Sequence, residues 1–563
     1  MKNKYIIYTM LFAMTAITSC KKDSFLNRYP LSDISPQSFF KNETDLQLYC
    51  NQYYSQLPVQ NFLRADDNSD DKAPQSINSF LAGTYTVPNS ASGTAWDFSF
   101  IRTLNFFLAN YSKANVSDSI KNIYVGETLF FRALDYWNKV KTFGDVPYID
   151  KYITDTSKSA LYGVRMQHKQ VMDSVLKDLN FAVDHIPVST ADGRLNKYDA
   201  LALKSRICLW EGTYREYWKT GDQDVFLQAA LDAAEQIMNS GKFGIYSTGH
   251  PQTDYYNLFI QEELKDNPES IMCMRYLPVV LMNGIDRSLG EAGDGYSKDF
   301  VRSFLCTDGL PTDMSSLYKG DDSLDEEIIN RDPRLKQQIA TRGFDFLAGD
   351  TISLPRIGTT VTSTGYQCTK GRSSSLAAWN ANASTYDFFI FRYAETLLIY
   401  AEAKAELANE GKATFTQDDL DKSINLLRDR VGMPHMTMTV PVDPWLAAKY
   451  PLVTGPLKNV ILEIRRERRV ELGSEGFRFD DLHRWHAGDL INNPETILGM
   501  KLLPSVRAEY PPTQVSGIVV DNNDYIRVYP SITARKWDDK MYLYPIPLQE
   551  ITLNPNLKQN PGW

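Results

Sequence analysis

Cys20 is the residue whose surroundings assign it the clearest chemistry. Lys2 and Lys4 precede an apolar run of thirteen residues, Tyr5–Ile17 (YIIYTMLFAMTAI), which leads into Thr18, Ser19 and Cys20. A membrane-spanning helix needs roughly 20 apolar residues, so this run suits a cleaved leader better than an anchor. Ile17-Thr18-Ser19-Cys20 resembles a bacterial lipobox. In that motif the thiol is diacylated, the chain is cut before the cysteine, and the new amino group is often acylated. Two or more acyl chains anchor a protein stably where one does not. Residues 1–19 are therefore expected to be a leader and Cys20 a lipidated N-terminus; the alternative is a plain secretory leader with a chance cysteine.

Other residues invite metal chemistry. Asp66, Asn68 and Asp70 in DDNSDD imitate the first half of an EF-hand loop. Asp71 stands where that loop needs Gly and Ile77 where it needs the bidentate Glu, which excludes a standard EF-hand. A looser structural calcium site, or a solvated acidic loop near a ligand, is left. His483 and His486 lie three apart, but no HExxH or cysteine partner accompanies them, and a structural role is expected. Cys50, Cys208, Cys273, Cys306 and Cys368 form an odd set without CxxC spacing, so neither a disulfide scaffold nor a zinc site is expected. One or two bridges, or five small buried hydrophobes, remain the alternatives. No G-x-S-x-G, phosphate loop or dinucleotide fingerprint is present. Glycoside hydrolysis asks only for two suitably spaced carboxylates, which a chain with 69 acidic residues cannot exclude on sequence.

The elements that must position these groups are mainly helical. Ser99 to Ala114 places Ile101, Leu104, Leu108 and Tyr111 on one stripe, and Ile120 to Val140 continues with Ile123, Leu129, Phe130, Leu134 and Trp137. Further amphipathic stretches run near 167–185, 197–218 and 225–239. Between about 241 and 386 Gly, Ser, Asn and Pro cluster, which reads as loops, short strands and short helices inserted into the scaffold. Helices return at Phe391–Gly411, where Ala394, Ala401 and Ala405 would admit a close neighbour. In Val460–Asp489 the apolar stripe Ile461, Ile464, Leu472 also carries Arg468, a charge that needs a buried partner. The fold class is mainly α, a tetratricopeptide-like helix-pair scaffold with a large irregular loop and short-strand insertion. The expected regions are 20–40, a tether; 41–240, helical; 241–386, the insertion; and 387–563, helical. The formal net charge of −9 becomes −11 when Lys2 and Lys4 leave with the leader. With no basic patch interleaved with aromatics, nucleic acid is not expected as a partner.

Five segments in order carry a resemblance: GETLFFRALDYWNKVKTFGDVPYI, DGLP at Asp308–Pro311, NRDPRL at Asn330–Leu335, EIRRERRVELGSEGFRFDDLHRW, and the ending YLYPIPLQEITLNPNLKQNPGW. With FRYAETLLIYAEAKAEL and the lipobox, they resemble the SusD/RagB family of outer-membrane lipoproteins over essentially the whole mature chain. The resemblance implies a lipid-anchored protein on the outer membrane, facing the exterior and sitting on a SusC-like TonB-dependent transporter. Such proteins bind glycans, or in some members peptides, and pass them on without catalysis. A glycan site would need aromatic faces for sugar rings and polar groups for hydroxyls. Tyr85, Trp96, Tyr296 and Trp379 are the candidate faces, with Asp66, Asp67 and Arg372 as polar companions. Trp96, just before a helix, also suits the core. The competing readings are a peptide-binding member of the family, a purely structural surface protein and a glycoside hydrolase.

Overall fold

The computed structural model describes residues 39–57, 62–154, 156–291, 293–358 and 361–563. Cys20 and the expected leader, residues 1–19, lie outside them. The scaffold begins with α1 (Glu43–Asn51), α2 (Ser99–Asn110) and the long α3 (Asp118–Phe143). The Ser117 side chain caps α3 by accepting from the Ile120 amide, and Gly144, at φ +70°, ends it where a side chain would be strained. Next come α4 (His168–His185), α5 (Lys197–Tyr217), opened by an Asn196/Asp199 capping box, and α6 (Gln223–Met238).

The following segment holds only short elements, among them β1 (Ser270–Met274), α7 (Ile285–Glu291), the two-stranded β2 (Asp345–Leu347) and β3 (Asp350–Thr351), and α8 (Leu376–Trp379). The strand β4 (Phe388–Arg392), antiparallel to β1, closes this excursion and runs directly into α9 (Tyr393–Asn409). Then follow α10 (Ile424–Val431), α11 (Lys458–Leu472), α12 (Arg478–Arg484) and a C-terminal α13 (Leu548–Leu553).

Helices pack in sequential pairs, α3 on α4 and α5 on α6, and α9 then joins α6 to α11. Gly212 lets α5 and α6 approach closely, since a Cβ there would stand 2.8 Å from Leu227 Cγ. The wholly buried Ala394, Ala401 and Ala405 serve α9 in the same way. One apolar core lies among the helices and a second beneath the short-element region. Among the described residues no helix is long and apolar enough to cross a membrane.

Between the two cores runs a network of buried ion pairs centred on α11. Arg468, only 4% exposed, donates through Nε to Asp481 Oδ2 at 2.9 Å. Arg469 reaches Asp299 at 2.8 Å and Asp71 at 2.7 Å. Glu471 receives Arg392 at 2.8 Å and Arg430 at 2.6 Å. A charge inside an apolar helix face is tolerable only with such partners.

Candidate functional site

Arg372 and Trp379 are brought together in the short-element region. Ser375 caps α8 through the Ala378 amide and so places Trp379 at its end. Gly290 on α7 allows the indole to lie flush against that helix, since a Cβ there would stand 2.4 Å from its ring. Phe346, presented by β2, meets Trp379 edge-on at 5.5 Å. The Arg372 guanidinium lies 3.9 Å from the Phe346 ring centre and 5.3 Å from that of Trp379. Its Nη2 donates to the Phe346 carbonyl, while Nε and Nη1 have no hydrogen-bond partner among the described residues.

Arg356 lies 3.8 Å from the centre of the same Phe346 ring and donates through Nη1 to the Gly290 carbonyl at 3.2 Å. Two guanidinium carbons within 4 Å of one ring centre cannot share a face, so Phe346 is held between them. Phe344 and Tyr256 extend the aromatic surface, and the Tyr256 hydroxyl donates to the Arg372 carbonyl at 2.7 Å. Burial pushes Arg372 down to about 10 and lowers Arg356 as well. Phe344, Phe346, Arg356 and Trp379 are half-buried, so they form a ledge with Arg372 beneath it. This arrangement offers ring faces for stacking beside cationic N–H donors. Sequence reasoning missed Phe344, Phe346 and Arg356; the signal was two aromatics in i, i+2 register between Gly343 and Gly349.

The remaining candidates lie in other clusters. Tyr296 is a correction, because it is fully buried and stacked on Phe300 at 4.5 Å. Its hydroxyl accepts from Ser474 at 2.7 Å and contacts Cys368 Sγ at 3.2 Å, so no ring face is free for a ligand. Trp96 is 4% exposed and packed edge-on against Phe143 at 4.9 Å, which makes it a core residue in the first place. Its rim nonetheless borders a groove of about 1070 Å³, together with Phe98, Arg102, Ile149, Tyr162 and Leu553. Tyr85 is half-buried among Phe80, Tyr544 and Trp563.

The acidic loop is likewise turned inward. Asp66 is buried, accepts from the Arg478 amide at 3.3 Å, and is raised by burial to about 6. Asp67 pairs with Arg64 at 3.2 Å. Asp70 is bound by Arg478 at 2.6 Å, and Asn68 accepts from Asn78, so the oxygens that imitated a calcium loop face arginine and amide partners. Among the described residues no group of three or more His, Cys, Asp or Glu side chains could hold a metal ion. His483 is buried and pushed down to about 3, and His486 stacks on Trp218 at 4.1 Å, consistent with packing roles. Cys50, Cys208, Cys273, Cys306 and Cys368 are all free thiols.

Known proteins resemble this chain in sequence and in fold. SusD-like protein P2 of Formosa agariphila is 24% identical over the full length of both chains. A SusD-like carbohydrate-binding protein of Bacteroides fragilis has a solved structure that superposes with a TM-score of 0.71 at 21% identity, covering 92% of this chain and 100% of its own. A structure solved with xylogluco-oligosaccharide superposes with a TM-score of 0.57 at 19% identity, over 91% and 97% of the two chains. A model described as starch-binding associating with outer membrane matches residues 24–209. The model of the SusD family itself matches residues 235–563, more than half of the chain, and the protein belongs to that family.

Proposed function

We propose that this protein captures an oligosaccharide at the outer membrane and delivers it to a SusC-like TonB-dependent transporter, tethered through acylated Cys20. The observation that carries the reading is the ledge of Phe344, Phe346 and Trp379 beside Arg356 and Arg372. The half-buried Phe344 and Trp379 can stack on sugar rings, while the Arg356 guanidinium edge donates to hydroxyls; Phe346, flanked by Arg356 and Arg372, and the buried Arg372 hold that edge in place. The family's carbohydrate-binding members and the relative solved with a xyloglucan fragment support a glycan as the ligand class. The outer-membrane description of the model matching residues 24–209 supports the location, and the lipobox supports the anchor. Capture is the role; hydrolysis is not part of it.

Calorimetric titration of the chain against plant, host and microbial oligosaccharides, with a reducing-end assay on the same mixtures, tests this. Binding without cleavage is expected, and Trp379→Ala should weaken it at least tenfold, about 1.4 kcal/mol, while the fold stays intact. Unchanged affinity in Trp379→Ala would move the site off the ledge. New reducing ends would make the protein a hydrolase.

A further inference from the structure

We infer that the ledge selects saccharides carrying an anionic group, a carboxylate or a sulfate, with Arg356 as the residue that contacts that group. The inference rests on the glycan-binding reading and narrows its substrate class.

Three observations carry it. First, among the described residues neither Arg356 nor Arg372 makes an ion pair, although both flank one phenyl ring within 4 Å of its centre. The arginines of the core behave differently: Arg392, for example, is held by Glu269, Glu471 and Glu475. Secondly, the carboxylates nearest the ledge act on its arginines only through space, without pairing with them. Asp286 accepts from the Ser373 amide and hydroxyl through Oδ1, at 2.9 and 3.0 Å, while its Oδ2 has no hydrogen-bond partner among the described residues; Asp345 accepts from the Gly349 amide at 2.9 Å, and Glu291 pairs with Arg287 at 2.9 Å. Thirdly, Arg372 is 99% buried, with Nε and Nη1 unpartnered beneath the aromatic surface.

A buried guanidinium with idle donors is costly in the unliganded protein, because each lost hydrogen bond is uncompensated and no carboxylate pairs with it directly. An anion docking on the outer cation relieves part of that cost, since it lowers the potential felt by the inner one. A neutral sugar gains only the stacking and hydroxyl bonds. Arg356 uses one nitrogen on the Gly290 carbonyl and is half-buried, so the rest of its planar fork is free to meet an oxyanion beside a ring stacked on the aromatic rim. Arg372 acts through its charge and holds Phe346 in place; it is a positioning residue.

The test titrates the full chain with an oligouronate, with the same oligouronate methyl-esterified, with a sulfated oligosaccharide and with a neutral oligosaccharide. At least one anionic probe is expected to bind about tenfold or more tighter than the uncharged ones, an advantage that shrinks with added salt. The uronate and sulfate arms say which anion is preferred. Arg356→Gln should bring the anionic probes down to the affinity that the same variant shows for the uncharged ones, abolishing the advantage; Arg356→Lys should retain part of it. Equal affinity for the free and esterified oligouronate, with no gain for the sulfated probe, overturns the inference and leaves the glycan reading standing. No binding of any saccharide overturns both.

Discussion

Asp70 accepts two hydrogen bonds, at 2.6 and 2.7 Å, from Arg478, a residue 408 positions later. Burial alone would raise this carboxyl, but Arg469 and Arg478 overcome that and hold it well below the usual carboxylate range. A carboxyl whose folded pKa lies below its unfolded value contributes stability above the unfolded value of 3.8 and loses it as the pH falls. Asp70→Asn should therefore cost about 3–5 kcal/mol at neutral pH, because a buried guanidinium loses its counter-charge. Urea denaturation should show that deficit shrinking in acid; an unchanged midpoint at pH 7 would refute it. Asp199 runs the other way. Burial pushes it up to about 8, although it still accepts the Asn196 amide at 2.8 Å. Here the folded state holds a proton that the unfolded chain has released, so stability falls as the pH rises from about 4 to about 8. Asp199→Asn keeps an acceptor and removes the titration. Relative to wild type the variant should gain a few kcal/mol between pH 5 and pH 8, at about 1.4 kcal/mol per unit; parallel pH profiles would overturn the assignment.

Helix faces follow closely from periodicity, and their contacts test that logic. Ala394, Ala401 and Ala405 were legible as a close-packing stripe because small residues repeat at helical spacing, and Arg468 was legible as a paired charge because nothing else makes it tolerable on that face. Its partner Asp481 was not named by that argument, since nothing in the spacing says which of the 69 acids folds back. The Phe346 ledge was harder still. It joins residues from 256 to 379 through short strands and loops whose pairing has no period, and Tyr296 looked equally available although the fold buries it. Gly212 gave no warning either, because glycine inside a helix lowers propensity for no local reason. Its reason is tertiary, as the Leu227 amide nitrogen lies 2.9 Å from where a Cβ would be. Gly212→Ala should thus destabilise by about 1–3 kcal/mol through overpacking, against the ~1 kcal/mol that alanine gains elsewhere in a helix. Gly126→Ala in α3 meets the flexible Ile186 side chain at 3.1 Å and backbone only at ordinary contact distances of 3.6 Å and beyond, and should fall well short of that loss. Paired thermal melts decide it, and equal shifts for the two variants would reject the close-approach account.

At the scale of the molecule, Asn560 and Trp563 tie together segments far apart in sequence. Asn560 donates to the carbonyls of Phe143 and Tyr544 at 3.0 and 2.7 Å, and it accepts from Arg165 at 2.7 Å. Trp563 donates through Nε1 to the Leu543 carbonyl at 2.8 Å and stacks near Phe80 at 6.2 Å. Tyr85 lies edge-on to the same indole at 5.8 Å, so the loop carrying Phe80 and Tyr85 is held by the end of the chain. The ending LKQNPGW, which marks the family in sequence, thus acts as a clasp between the first helices and the final strand-poor segment. Trp563→Ala should destabilise the protein by less than the ~3–5 kcal/mol of a fully buried Trp, because the indole is half-exposed. The effect should also be local. Hydrogen exchange should accelerate in residues 80–96 and around Phe143, while amides of β2 and α8, which carry the ledge, keep their protection. Oligosaccharide affinity should stay at the wild-type value. Faster exchange throughout the short-element region, or a loss of binding, would instead show that the clasp and the ledge form one cooperative unit.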